Sequence, residues 1–201
     1  MRLFVTGIGT EVGKTIASSI LVENLKADYW KPIQAGELEN SDSIKVKNLI
    51  SNTKSVFHSE SYKLKEPMSP HAAAKKDNIT IELLKIIPPK TDNHLVIEGA
   101  GGVFVPLNKE DCILDIIPKT NSEVVIVSRH YLGSINHTLL TIKALQDRNI
   151  SIKGIIFSGD ENKDTENIII KMTGIKFLFR INEEIEFNKE IIKKYAQQIT
   201  L

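Results

Sequence analysis

One cysteine, Cys112, is all the thiol chemistry that 201 residues offer. It has no partner for an internal disulfide, and no Cys/His cluster has zinc-ligand spacing. A reducing compartment fits that usage. Charge of one sign is equally scarce. Lys and Arg number 26 against 25 Asp and Glu, for a formal net charge of +1. That balance excludes the global basic field of a nucleic-acid binder, and there is no acidic tail. No run of about 18 apolar residues occurs, so no membrane span is expected. The opening MRLFVTGIGT lacks the small-residue cleavage site of a signal peptide. The expectation is a cytoplasmic protein that engages neither membrane nor nucleic acid. Internal repeats, low-complexity tracts and linkers are absent too. One domain over residues 1–201 follows, long enough for a real core.

What is present is alternation. Apolar strand-like runs at RLFVT (2–6), ADYWKP (27–32), HLVIE (94–98), EVVIVS (123–128), SIKGIIFS (151–158) and KFLFR (176–180) are separated by stretches with helical spacing. Those stretches run from Gly13 to about Lys26, then over 41–50, 79–87, 133–148, 163–172 and about 188–197. Ser41 or Asp42 caps the second, and Pro88 and Pro89 stop the third. KEPMSPH (65–71) reads as a loop, and 52–76 leaves strand and loop assignments open. Continuously apolar strands between helices predict βαβ units, that is, an α/β fold with a mostly parallel sheet covered on both faces.

After the first strand stands GIGTEVGKT, Gly7 to Thr15. A phosphate-binding P-loop wants Gly, four residues, then Gly-Lys-Ser/Thr. The required glycine would fall at position 8, which is Ile8; glycines stand at 7 and 9. The context is nevertheless that of a phosphate loop: buried strand, glycine-bearing turn, helix opening at Gly-Lys-Thr. N–H groups at that helix start lack internal partners, and the helix dipole favours an anion there. Lys14 is then placed to reach terminal phosphates, and Thr15 to put its hydroxyl on Mg²⁺.

A metal at Thr15 calls for an acid at the carboxyl end of a neighbouring strand, where open α/β sheets bind ligands. Glu98 in HLVIE-GAGG is that acid, and the glycines behind it allow close backbone approach. Asp42 is either a third oxygen ligand or an N-cap. Lys31, ending the second strand, is either a cation at the same edge, offsetting charge on a transferring group, or a solvent-facing strand-end lysine.

Four segments taken together, GIGTEVGKT, WKPIQAG followed by NSD, EPMSPH, and EGAGG with LGSINH beyond, resemble the dethiobiotin synthetase family in order and spacing, from residue 3 to about 160. The loop with one extra residue is the form that family uses. The resemblance implies a P-loop NTPase fold and an ATP-dependent cyclo-ligase. The substrates would be 7,8-diaminononanoate, CO₂ and ATP with Mg²⁺, and a carbamate and its mixed anhydride with phosphate would lead to dethiobiotin. It implies a homodimer with substrate at the interface. Residue by residue, it places the nucleotide on Glu11, Val12, Gly13, Lys14, Thr15 and Ile16, on Asp42, on Glu98, Gly99, Ala100 and Gly101, and on Ser158 and Gly159. It places Mg²⁺ on Thr15, Asp42 and Glu98, and catalysis on Lys31 and Lys14. Thr10, Gln34, Gly133 and Asn136 would meet the organic substrate, the last two from the partner subunit. The start of the LGSINH helix would hold the substrate's carboxylate on its free N–H groups. His71 and His137 follow the pattern without an assigned task, and Cys112 reads as a packing residue.

The chain also departs from the pattern. Family members often carry an Asn-Asp pair where Ser158 and Gly159 stand, and an Ile-Pro-x-Leu segment where RINEE stands, with Asn182 at the proline. An amide reads a base edge with two hydrogen bonds; a hydroxyl and bare backbone offer less. Looser base discrimination is expected. Gln34 and Ala35 stand where a serine is common. Other P-loop synthetases or small kinases would share Lys14, Thr15 and Glu98 but not the remaining segments. A partitioning ATPase of the ParA type would carry an extra lysine near Gly7 to Gly9, and none is present.

Overall fold

The computed structural model describes residues 1–201. Strand β1 (Arg2–Gly7) feeds helix α1 (Lys14–Leu25), which returns the chain to β2 (Asp28–Trp30). After β3 (Ile33–Ala35), α2 (Asp42–Leu49), β4 (Phe57–His58), β5 (Tyr62–Leu64) and α3 (Pro70–Lys76), the chain re-enters the centre as β6 (Leu95–Gly102). Helix α4 (Ile113–Thr120), β7 (Glu123–Arg129), α5 (Ser134–Asp147), β8 (Ile152–Ser158), α6 (Lys163–Thr173), β9 (Phe177–Ile181) and α7 (Lys189–Gln198) complete it. The main sheet has seven strands in the order β4-β2-β6-β1-β7-β8-β9, and every pairing is parallel. β3 and β5 form a separate parallel pair. No helix is long and apolar enough to cross a membrane.

The sheet is covered on both faces, as the continuous apolar runs predict. Val124, Val125, Ile126 and Val127 are successive residues of β7, point alternately up and down, and are all fully buried. Helices α1, α2 and α7 pack together; α5 packs with α6, and α4 lies against β1 and β6.

The structure differs from the sequence reading in four places. The helix expected over 79–87 is a single 3₁₀ turn, Leu83–Lys85. Ile81 and Ile86 are anchored in the core while Leu84 and Ile87 face outward. A stretch this short, closed by Pro88 and Pro89, does not hold a helix without a continuous buried face. The loop expected at 65–71 ends early: Pro70 is the first residue of α3, where its missing N–H costs nothing. Helix α4, unassigned from sequence, contains Pro118. The Cys112 backbone N–H and thiol both bond Asp115 Oδ2 at its first turn, so Cys112 caps a helix. The strand read as 94–98 continues through the glycines to Gly102.

Candidate active site

The register between β2 and β6 fixes the first half of the site. Tyr29 pairs with Val96 and Trp30 with Ile97, so Lys31 comes beside Glu98 at the carboxyl edge. Strand side chains alternate, so Tyr29, Lys31, Val96 and Glu98 share one face. Lys31 Nζ lies 3.1 Å from Glu98 Oε1 and donates to the Gly99 carbonyl at 3.1 Å. It also lies 2.6 Å from Asp42 Oδ2. Ser41, not Asp42, is the N-cap of α2, its hydroxyl accepting from the Ile44 N–H. Asp42 is thereby free to point into the cleft.

The second half comes from the loop between β1 and α1. None of the backbone hydrogen bonds outside regular elements is donated by residues 9–16, so this string of N–H groups remains open at a helix start. Glu11 and Gly13 both take positive φ, 56° and 95°. Lys14 arches back over the loop and donates to the Gly9 carbonyl at 2.8 Å. Gly7 is the position that admits this arch, because a Cβ there would stand 2.5 Å from Val12 and 3.1 Å from Lys14 Nζ. Thr15 Oγ1 lies 3.0 Å from Glu98 Oε1 and 3.3 Å from Asp42 Oδ1.

Lys14, Lys31 and Glu98 are thus packed out of water, with Asp42 partly buried beside them. Burial, then the charge of Lys31, pushes the Lys14 ammonium down to about 8. For Lys31, burial would act downward too, but Glu98 and Asp42 outweigh it and hold its pKa above the ordinary lysine value. Burial would raise Asp42; the Lys31 charge overcomes it and keeps the carboxyl below its usual range. Asp42 is thereby held as a carboxylate, the form a cation needs.

No group of three or more His, Cys, Asp and Glu gathers to form a metal cage. Thr15, Asp42 and Glu98 instead make an all-oxygen set of one hydroxyl and two carboxylates. That fits Mg²⁺, which takes one or two carboxylates and completes its shell with water and substrate phosphates.

The cleft around these groups encloses ≈ 720 Å³. Of the residues singled out from sequence, Thr10, Glu11, Gly13, Lys14, Thr15, Ile16, Lys31, Gln34, Asp42, Glu98, Ala100, Gly101 and Ser158 line it. Val12 does not; it is a core residue beneath the loop. Gly99 supplies its carbonyl to Lys31 from behind. Gln34 is buried and bracketed, its carbonyl accepting from Asp42 N at 3.2 Å and its amide donating to the Gly36 carbonyl at 3.0 Å. Its contacts here fix the turn that carries Asp42. Gly133 and Asn136 lie outside the cleft, at the exposed start of α5. His137 bonds the Tyr131 hydroxyl there through Nδ1, 2.7 Å away.

Sequence reasoning reached the far end of the cleft through Ser158 and the RINEE segment, but missed Arg129 and Phe187. Arg129, Asn182, Glu183 and Phe187 line it beside Ser158, with Arg129 Nη2 2.6 Å from Glu183 Oε1. Arg129 ends β7, Asn182 and Glu183 follow directly on β9, and Phe187 lies between β9 and α7; the order of strands brings them together. Tyr29 was missed as well; nothing in ADYWKP tells which way its ring points.

A family model described as an AAA domain matches residues 1–190. The ATP-dependent dethiobiotin synthetase BioD of Christiangramia forsetii is 57% identical over 195 residues, covering 97% of this chain and 94% of that one. The protein of the same name from Cytophaga hutchinsonii is 48% identical, covering 98% and 96%. Among solved structures, the septum site-determining protein MinD of Pyrococcus horikoshii, complexed with Mg-ADP, superposes with a TM-score of 0.62 at 12% identity, covering 98% of this chain and 96% of that one. A ParA family ATPase from Chlorobium tepidum gives 0.58 at 14%, covering 98% of each. Those two likenesses establish the P-loop NTPase fold and nothing about the reaction.

Proposed function

The chain belongs to the dethiobiotin synthetase family, and from that premise we propose that it joins 7,8-diaminononanoate, CO₂ and ATP into dethiobiotin, ADP and phosphate. It is an ATP-dependent ligase. The observation that carries the reading is the convergence of Lys14, Thr15, Lys31, Asp42 and Glu98 at one sheet edge, around a loop of open N–H groups.

The bond changes are these. One substrate amine attacks the carbon of CO₂, forms a C–N bond and loses a proton, giving a carbamate. A carbamate oxygen then attacks the γ-phosphorus, and the bond to the bridging oxygen of ADP breaks. The second amine attacks the carbamoyl carbon, phosphate leaves with the former carbamate oxygen, and the ring closes. Every partner in the middle step is an anion, so positioning and charge offset carry the catalysis. Lys31, kept protonated by Glu98 and Asp42, faces the carbamate side. Lys14 exchanges the Gly9 carbonyl for phosphate oxygens, and the loop N–H groups cradle the rest. Thr15, Asp42 and Glu98 would hold Mg²⁺, which would supply positive charge to offset that of the phosphates. No covalent nucleophile is required, and Cys112, capping α4, lines no part of the cleft.

In this reading Gly133 and Asn136 serve the site of a second copy. Their separation from the chain's own cleft supports that, as do exposed apolar neighbours, Leu132 fully exposed and Tyr131 and Ile135 partly so. We place the homodimer in the cytoplasm. The test is phosphate release from MgATP and bicarbonate with and without the diamine, with products followed by mass spectrometry. Release requiring both, with dethiobiotin formed, is the expected result. Diamine-independent release would assign the cleft to another ATPase or synthetase reaction.

A further inference from the structure

Glu98 is fully buried, yet its two oxygens face different surroundings. Oε1 meets Thr15 Oγ1 at 3.0 Å and Lys31 Nζ at 3.1 Å. Oε2 accepts one hydrogen bond, from the Tyr29 hydroxyl at 3.0 Å. Tyr29 is itself fully buried in β2, its ring 5.5 Å from that of Phe57. It stands opposite Val96, two residues before Glu98 on the same face of β6. From there a tyrosine has the diagonal reach to touch the next side chain along; a phenylalanine would fill the same volume and leave Oε2 bare.

We propose that Tyr29 is a positioning residue for the metal-binding edge: its hydroxyl holds Glu98 Oε2 back, so that Oε1 alone is presented to the cation and to Lys31. The physical reason is the carboxylate's freedom. Buried, with one oxygen unsatisfied, it would turn to offer both oxygens to the nearest donor, and that donor is the Lys31 ammonium. The pair would close on itself, drawing Lys31 away from substrate and Oε1 away from Mg²⁺. Unpaired buried acceptors are costly enough to drive such a rotation. The inference rests on the proposed Mg²⁺ site and deepens it: the site is held by two ligand acids and by one phenol that touches neither metal nor substrate.

The experiment compares wild type with Tyr29→Phe, and with Phe57→Leu as a control that loosens the ring's packing while keeping its hydroxyl. ATP binding is measured by calorimetry with and without Mg²⁺, and Mn²⁺ binding to the ATP complex by electron paramagnetic resonance. For Tyr29→Phe, metal-free ATP affinity stays at the wild-type level, while Mn²⁺ affinity and the Mg²⁺-dependent gain in ATP affinity fall roughly tenfold or more, the scale of a hydrogen bond to a buried charge. In turnover, kcat falls and the KM for diamine changes little. Phe57→Leu keeps wild-type Mn²⁺ affinity. A Tyr29→Phe protein with wild-type Mn²⁺ affinity overturns the proposal. So does one whose only change is a lower melting temperature, or one that fails to fold, because either assigns the hydroxyl to the fold. If the wild type itself gains no ATP affinity from Mg²⁺, the metal reading fails before Tyr29 is reached.

Discussion

Gly13 and Ser158 meet where the phosphate loop passes over the end of β8: a Cβ on Gly13 would stand 2.9 Å from Ser158 Oγ. Gly13 also takes φ 95°, which side-chain-bearing residues rarely adopt. The loop is thus fixed by backbone geometry on one side and by Ser158 on the other. Gly13→Ala is expected to weaken ATP binding at least about tenfold through the strained φ and the contact together. Adding Ser158→Gly relieves the contact and leaves the strain, so it recovers part of the loss. Calorimetry on the two variants separates the components; full recovery would mean that the positive φ contributes nothing.

In the proposed nucleotide site, Ser158 also bears on base choice. A side-chain amide reading adenine with two hydrogen bonds is worth roughly 1–3 kcal/mol, and a serine hydroxyl cannot supply that pattern. The end of the cleft is closed instead by Arg129, Asn182, Glu183 and Phe187. kcat/KM for ATP, GTP and CTP should fall within about tenfold of one another, and Ser158→Asn should raise the preference for ATP by a similar factor. A wild-type preference for ATP of several hundredfold would refute the loose reading.

Lys31 neutralises Asp42 and Glu98 from inside the protein. Lys31→Gln leaves the phosphate loop intact, so ATP binding should persist while turnover collapses. The two carboxylates would then share a buried site without their counter-charge, a loss of about 3 kcal/mol or more, or roughly 10 °C in melting temperature for a chain of this size. Added Mg²⁺ should restore part of that stability. Near-normal turnover in Lys31→Gln would remove Lys31 from the chemistry.

Away from the cleft, Glu166 on α6 ties three elements together. Arg180 of β9 donates to both its oxygens at 2.5 Å, and His130 Nε2, following β7, lies 2.8 Å from Oε1. The Asn162 N–H donates to Oε1 as well. Burial would raise this carboxyl, but the bonds from Arg180, Asn162 and His130 outweigh it and hold its pKa below the ordinary value. A lowered folded pKa gives stability that is full above the unfolded value of about 4.3 and is lost as pH falls through the folded one. Denaturant titrations between about pH 6 and pH 3 should show that loss. Glu166→Gln should flatten the acid limb and lower stability at neutral pH; an unchanged acid limb would remove Glu166 from it.

Much of the fold was legible because βαβ units carry local signals. Buried strands on a doubly covered sheet read as unbroken apolar runs, and EVVIVS and SIKGIIFS were placed to within a residue. The failures are where local signal and tertiary demand diverge. ITIELLKII has helical spacing, but Ile81 and Ile86 serve separate parts of the core and hold the stretch open. Helix α4 forms around a proline that argues against it, because Ile113, Leu114, Ile116 and Ile117 are all buried by the sheet.

Short stretches of the chain specify the parts of the site. A Gly-Lys-Thr at a strand-to-helix turn, an acid closing an apolar strand and a lysine before a proline are each written in a few consecutive residues. The reason is local: turn geometry and helix termini depend on neighbours in the chain. How those parts are connected depends on the folded sheet. That Lys31 lies against Glu98, that Tyr29 holds its other oxygen, and that Arg129 and Glu183 close the far end all follow from strand order and register. β2 lies next to β6, and β8 separates β7 from β9. Those neighbours are set by packing across the whole sheet, which no short stretch of residues encodes.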